Sequence, residues 1–224
     1  DWYRSQYYYD SGDWRATWKG EGGGVLLNQA PHNLDLWQWL CGMPVSVTAW
    51  CDQARYHRIE VEDDAALFTR YANGATGTFL TSTGEYPGTN RLEISGTMGK
   101  LVLEEGKLRW WRLRQPEPEA RFHSEISSPH LPFDYSEERP EPGPDGHQVV
   151  LQNFSDAIRQ GTALIAPGAD GLMELSLSNA AYLSQWQNHA EIPLPFDEEL
   201  FEKLVANEFE GMEYCMDTDD KNVR

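Results

Sequence analysis

No run of about 18 apolar residues occurs anywhere in these 224 residues, so no segment can cross a bilayer as a helix. Cysteine is scarce: Cys41, Cys51 and Cys215 are the whole set, and none forms a C-x-x-C pair. An odd, sparse set argues against a disulfide framework and against a zinc knuckle. Basic side chains are outnumbered two to one, with 18 Lys and Arg against 36 Asp and Glu, a formal net charge of −18. A surface this acidic repels phosphate backbones and anionic lipid, which argues against nucleic acid and membranes as partners. No basic-then-apolar leader opens the chain, and the cytoplasm is the expected compartment. Three sequence signatures are also missing. There is no G-x-G-x-x-G after a strand, no G-x-S-x-G elbow, and no second His or Cys near His32 to complete a metal set.

Aromatic residues, by contrast, are plentiful: nine Trp, ten Tyr and eight Phe. Seven of them fall within residues 1–20, a density that suits a strand or an aromatic surface strip. The opening run DWYRSQYYYDSG reads as the middle of a longer protein, so a fragment or excised domain is expected. Glu21-Gly22-Gly23-Gly24 then leads into VLLNQAPHNLDLWQWLCGMP, a helical pattern that stops at Gly42 and Pro44 and kinks at Pro31. From 45 to 114 the period changes to short β-prone runs punctuated by Asn73-Gly74, Met98-Gly99 and Glu105-Gly106. This predicts an antiparallel meander of about six strands with one buried face. Residues 115–146 hold seven of the thirteen prolines and are expected to form a long loop. Amphipathic helices follow from His147 to Gly161 and over 172–187, with a weaker one over 197–209. The expected fold is α+β, an open, mainly antiparallel sheet with helices packed on one face, over a domain at 1–205. An acidic tail at 206–224 is expected to be solvated.

Asn28, His32 and Asp35 are spaced four and three apart, which puts them on one face of a helix. His32 is the natural acid/base near neutral pH, Asp35 is spaced to orient it, and Asn28 is spaced to hold a substrate hydroxyl. The plainer alternative is a hydrogen-bonded structural histidine. Gly22-Gly23-Gly24 before a helix suggests a phosphate cradle, but no strand precedes it and no Lys, Ser or Thr lies within it. A tight turn or close packing is the stronger expectation for these glycines.

The run from Trp14 to Asp35, WRATWKGEGGGVLLNQAPHNLD, resembles the C-terminal domain of the glucose–fructose oxidoreductase / inositol dehydrogenase (Gfo/Idh/MocA) family. Two further stretches resemble that family: Val61-Glu62-Asp63-Asp64-Ala65-Ala66 through Asn73-Gly74-Ala75, and Asn153-Phe154-Ser155-Asp156-Ala157-Ile158-Arg159-Gln160-Gly161, followed by Leu194-Pro195. The resemblance implies an N-terminal Rossmann domain, absent from this chain, that binds NAD or NADP. It also implies oxidation or reduction at a hydroxyl or keto carbon of a sugar, inositol or related polyol. His32 matches the family's active-site histidine, while Asn28 stands where many members carry Asp. Arg15 and Lys19 are candidates for a substrate carboxylate or a cofactor phosphate, with surface ion pairing the equal alternative, and a meander with one face on helices leaves the other exposed, so a homo-oligomer formed through the sheet is expected. The rival expectation is a non-catalytic carbohydrate-binding or assembly module.

Overall fold

Alternating apolar and polar residues, interrupted by Gly-containing turns, produce the strands of this chain. The computed structural model describes residues 1–141 and 143–216, with side chains described through Glu208. The strands are β1 Ser46–Gln53, β2 Glu62–Arg70, β3 Thr76–Ser82, β4 Arg91–Gly96, β5 Gly99–Glu104, β6 Lys107–Leu113, β7 Phe133–Glu138 and β8 Ile192–Pro193. The helices are α1 Gln6–Asp10, α2 Trp18–Glu21, α3 Pro31–Cys41, α4 Glu117–His123, α5 Gly146–Gln160, α6 Gly171–Trp186 and α7 Glu198–Met216. The fold is α+β, and every strand pair is antiparallel.

The single meander expected over 45–114 is instead divided between two four-stranded sheets, ordered β3-β2-β1-β8 and β4-β5-β6-β7. The break falls at 83–90, where Gly84, Pro87 and Gly88 interrupt the pattern. Each sheet then recruits a strand from farther along the chain. The sheets belong to two compact units, residues 1–88 with 166–224 and residues 89–165. The domain expected over 1–205 thus takes in all of the second unit and most of the first.

The Pro-rich stretch is also more regular than expected, since α4 and β7 lie within it. Pro118 sits in the first turn of α4, where a missing N–H costs nothing. No proline interrupts β7, which is an edge strand. The N-terminal strip is not a strand of its own. The Trp2 and Arg4 N–H groups donate to the carbonyls of Ser82 and Thr83, and the chain then turns into α1. At the other end, α7 continues into the stretch expected as a tail, and residues 217–224 lie outside the described residues.

In the first unit the inner face of the sheet carries Val47, Ala49 and Cys51 opposite Thr69, Leu67 and Ala65, all buried. Helices α3 and α6 cover this face. Trp37 of α3 stacks on Phe79 of β3, and two residues away on the same strand a Cβ at Gly77 would meet the Trp37 ring at 2.5 Å. Strand β8 pairs with β1 only at Ser46 and Val47. Beyond it, side chains satisfy the bare edge of β1. The Ala49 N–H donates to Ser184 Oγ (2.8 Å), the Cys51 N–H to Gln185 Oε1 (2.9 Å), and His189 Nδ1 lies 2.9 Å from the Ala49 carbonyl.

The β1–β2 register slips by one residue beside Asp52, so Asp52 faces Asp64 while Gln53 faces Glu62. Strict alternation would send one of Glu62 and Asp63 to solvent. The bulge re-aims the strand, and both carboxylates are buried. Glu62 accepts from the Gly24 and Leu26 N–H groups and from the Tyr182 hydroxyl (2.8 Å). Asp63 accepts from the N–H groups of Arg55, Tyr56 and His57.

In the second unit one face of the sheet is apolar, with Leu92, Ile94, Leu101, Leu103, Leu108 and Trp110 in register. The opposite face is a ladder of charge. Arg109 bridges Glu104 (3.3 Å) and Glu137 (3.4 Å), flanked by Lys107–Glu137 (3.1 Å) and Lys100–Glu93 (3.5 Å). Trp110 and Trp111 point to opposite faces, as adjacent strand residues must. Trp111 packs on Tyr135 and lies under the Lys100 ammonium. Helix α5 is amphipathic, yet its apolar stripe is exposed: Phe154 is 54% and Ile158 72% exposed.

Burial pushes the Glu62 carboxyl up to about 7 from its ordinary 4.5, against hydrogen bonds from Leu26, Tyr182 and Gly24 that favour the charged form. The folded state therefore holds a proton that the unfolded state releases between those two values. The stabilising contribution is full below pH 4.5, falls as pH rises, and is gone above about 7. We expect urea denaturation from pH 5 to 8 to show wild type losing roughly 2–4 kcal/mol relative to Glu62→Gln. Parallel pH profiles for the two proteins would remove Glu62 from this role.

Candidate substrate site

Helix α3 begins at Pro31, later than the sequence pattern suggests. Proline has no N–H to donate and disfavours a helical residue before it, so it serves as the first residue of a helix. The preceding turns are irregular: the Leu27 and Asn28 N–H groups both reach the Gly24 carbonyl, and Ala30 reaches Val25. Asn28 is therefore on this turn and not on the helix with His32 and Asp35, which corrects the single-helix reading.

The glycine run does not cradle a phosphate. The N–H groups of Gly24 and Leu26 are already bound by the Glu62 carboxylate, and that of Val25 by the Glu62 carbonyl (2.9 Å). A Cβ on Gly24 would lie 1.9 Å from that carbonyl, so glycine is required by the close approach of two backbones. The turn does not fit a dinucleotide's phosphates, because an internal carboxylate already takes the donors that would bind them. Among the described residues no three His, Cys, Asp or Glu side chains come together to hold a metal ion.

His32 is exposed in the first turn of α3, with its ring 6.4 Å from that of Trp2. Asp35 is also exposed, and its carboxylate accepts from Gln38 Nε2 (2.9 Å). Among the described residues no hydrogen bond or ion pair joins His32 to Asp35, so Asp35 does not orient the ring here. A carboxylate from another helix lies in the field of both. Glu174 of α6 accepts from Ser178 Oγ (2.8 Å), and its carboxyl is pushed up mainly by burial. The Asp35 charge pushes the same way, while the hydrogen bond from Ser178 and the His32 charge oppose it.

Asn28 is fixed from several sides. Its Nδ2 donates to Glu21 Oε1 through a short contact, while its Oδ1 accepts from Gln29 Nε2 (2.8 Å) and faces the Tyr8 hydroxyl (3.5 Å). The second Glu21 oxygen accepts the Ala16 N–H (2.6 Å). Arg15 Nη1 donates to the Tyr8 hydroxyl (2.8 Å), and its guanidinium lies over the Tyr8 and Trp14 rings, 4.4 Å from each centroid. The Arg4 guanidinium lies over Tyr8 (4.7 Å) and Trp2 (5.2 Å). Arg15 and Asn28 thus meet at Tyr8, and His32 joins the group through Trp2. Lys19 is exposed on α2, and none of its hydrogen bonds or ion pairs ties it to this cluster. Cys51 is buried, and burial pushes its thiol and that of Cys41 upward, so neither is a poised nucleophile.

Arg4, Tyr8, Glu21 and Glu174 are the members that the sequence reading missed. Helix spacing finds neighbours within one element, whereas these come from an extended strip, the two short helices α1 and α2, and α6. One signal was available for Glu174, the lone charged residue in LMELSLSNAAYL.

Residues 1–102 match the family model described as GFO/IDH/MocA C-terminal domain. No curated protein sequence matches the chain. Among solved structures, the WlbA dehydrogenase from Bordetella pertussis, in complex with NADH and UDP-GlcNAcA, is 27% identical with a TM-score of 0.60, over 88% of this chain and 52% of that one. The WlbA dehydrogenase from Chromobacterium violaceum, in complex with the same two molecules, is 27% identical with a TM-score of 0.59, over 86% and 52%. An oxidoreductase from Agrobacterium radiobacter, in complex with NAD+, L-tartaric acid and magnesium, shares the fold at 20% identity and a TM-score of 0.62, over 83% and 52%. The chain spans about half the length of these relatives. Over residues 1–102, then, this chain is similar to a GFO/IDH/MocA C-terminal domain.

Proposed function

We propose that this chain is the substrate side of an NAD- or NADP-dependent oxidoreductase acting at a hydroxyl or keto carbon of a sugar or related polyol. The observation that carries the reading is the exposed His32, set beside Trp2 next to the Tyr8–Asn28–Arg15 group, in a chain 27% identical to a dehydrogenase that binds NADH and a sugar nucleotide. The nicotinamide accepts or donates hydride when bound, and the part of the protein beyond this chain holds it. His32 exchanges the proton of the reacting hydroxyl, since an exposed imidazole at a helix start reaches substrate without moving the core. Asn28 presents its Oδ1 to a substrate hydroxyl, and an amide takes no proton at neutral pH. Glu174 lies in the field of both His32 and Asp35, which places two carboxylates on this side of the site. Lys19 is a peripheral cation of the same surface. A cytoplasmic setting fits the free thiols of Cys41 and Cys51.

The full-length protein is also proposed to self-associate through the outer face of the first unit's sheet. Trp50, Ala66 and Leu80 stand in one register row on that face, and Leu80 is 71% exposed. Light scattering of full-length protein is expected to report an oligomer that Leu80→Glu dissociates. A monomeric wild type would refute this interface.

Two measurements test the enzyme reading. Titration calorimetry of this chain alone is expected to give no micromolar affinity for NAD(H), and such an affinity would mean that the nucleotide site is here after all. In the full-length enzyme, His32→Ala is expected to lower kcat by about 10²–10⁴-fold. Asn28→Ala is expected to lower kcat/KM by about tenfold or less, the cost of one neutral hydrogen bond. Near-wild-type kcat in His32→Ala would move proton transfer elsewhere, and absence of NAD(P)-linked turnover on every sugar tried would favour a binding module.

A further inference from the structure

Six arginines of this acidic chain, Arg55, Arg70, Arg91, Arg109, Arg114 and Arg121, lie against carboxylates. Among the described residues Arg4, Arg15, Arg58, Arg112, Arg139 and Arg159 do not, and of these Arg4 and Arg15 lie together at the candidate site. Both guanidinium groups lie over the same ring, that of Tyr8. The carboxylate bound to this cluster is Glu21, and its two oxygens are committed to Asn28 Nδ2 and the Ala16 N–H.

Arg4 is fixed through its backbone, and its Nη1 donates to the Tyr3 carbonyl (3.3 Å). Its N–H donates to the Thr83 carbonyl (2.9 Å), and its own carbonyl lies 2.9 Å from His57 Nε2. His57 is buried, and its Nδ1 lies 2.8 Å from the buried Asp63 carboxylate. Both ring nitrogens face oxygen atoms, which fixes the ring in place. Yet Arg4 Nε is buried with no hydrogen-bond partner. Two like charges on one ring repel, and an unmet buried donor costs free energy. An anion accepting from both guanidinium groups offsets both costs.

We propose that Arg4 and Arg15 form a paired guanidinium site for an anionic group, a carboxylate or a phosphate, carried by the sugar substrate. The inference rests on the oxidoreductase reading and narrows its substrate class to acidic sugars or sugar phosphates. Arg4 and Arg15 set specificity, while Asn28 and His32 meet the hydroxyls.

The test is equilibrium binding to the full-length protein by calorimetry, with turnover measured alongside. The probes are glucose, glucuronate, UDP-glucose and UDP-glucuronate. Glucuronate tighter than glucose, or UDP-glucuronate tighter than UDP-glucose, assigns a carboxylate; UDP-glucose tighter than glucose, with no gain from the carboxylate, assigns the diphosphate. The favoured anion should bind at least tenfold tighter than its partner lacking that group. Arg4→Gln and Arg15→Gln should each weaken it by about 10- to 100-fold, the span of one lost charge-assisted hydrogen bond, and weaken the partner less than threefold. Arg4→Lys and Arg15→Lys should recover part of the loss. Equal binding of charged and neutral probes overturns the proposal, as does equal weakening of both by the Gln variants, which marks a structural role. A rise in KM for NADP alone overturns it in favour of a cofactor phosphate. Turnover without charge preference sinks this inference and spares the oxidoreductase, whereas charge-selective binding without NAD(P)-linked turnover does the reverse.

Discussion

Glu62 is the interaction on which the first unit depends. A carboxylate buried without partners is among the costliest groups a protein can hold. Here it collects the N–H groups of Gly24 and Leu26 and the hydroxyl of Tyr182, so one side chain joins β2, the glycine turn and α6. Tyr182 in turn packs against Trp18 and Trp186, which ties α2 and α6 together. The turn that precedes α3, and with it the position of Asn28, is therefore set from beneath by the sheet. The three glycines matter because they let backbone N–H groups reach this carboxylate, and Gly24 lets the turn lie directly on β2.

The adjacent Asp63 does the same for the N-terminal strip. It organises the loop at 55–57 through three N–H groups and positions His57, which holds Arg4 by its carbonyl. Tyr9 packs edge-on against His57, and its hydroxyl lies 2.8 Å from Thr83 Oγ1. Two neighbouring acids, turned inward by one bulge, thus anchor the two segments that carry the candidate site. A one-residue slip in strand register is enough to rearrange both.

Much of this was legible in the sequence. The helices at 146–160 and 171–186 follow their apolar spacing, and six strands fall within the stretch where the period turns to two. The division into two sheets was not legible, because alternation reports which face a residue takes and says nothing about which strands pair. β8 is only two residues long and comes from far along the chain, so no local pattern announces it. The glycine run was correctly weighed as a packing device, but its partner, Glu62, reads in sequence as one of three consecutive surface acids. The candidate site was half legible. His32 and Asn28 stand out by type, whereas Arg4, Tyr8 and Glu21 reach them only through tertiary contact, to which helix periodicity is blind.

The amide at Asn28 has a physical reason in its neighbours. Its Nδ2 donates to Glu21, and Glu21 cannot turn away, because its other oxygen holds the Ala16 N–H. An aspartate at position 28 would set two carboxylates against each other, and one of them would have to stay protonated or break its contacts. An asparagine converts that repulsion into a hydrogen bond and points its oxygen toward Tyr8 and Gln29. The two readings of this position therefore meet in one constraint. Where the resembled family often carries an acid, this chain carries a second acid close by, and a neutral amide is what gives Glu21 a donor to bind. In the proposed reaction, proton exchange falls to a group outside this pair, and His32, exposed at the head of α3, is the side chain proposed for it.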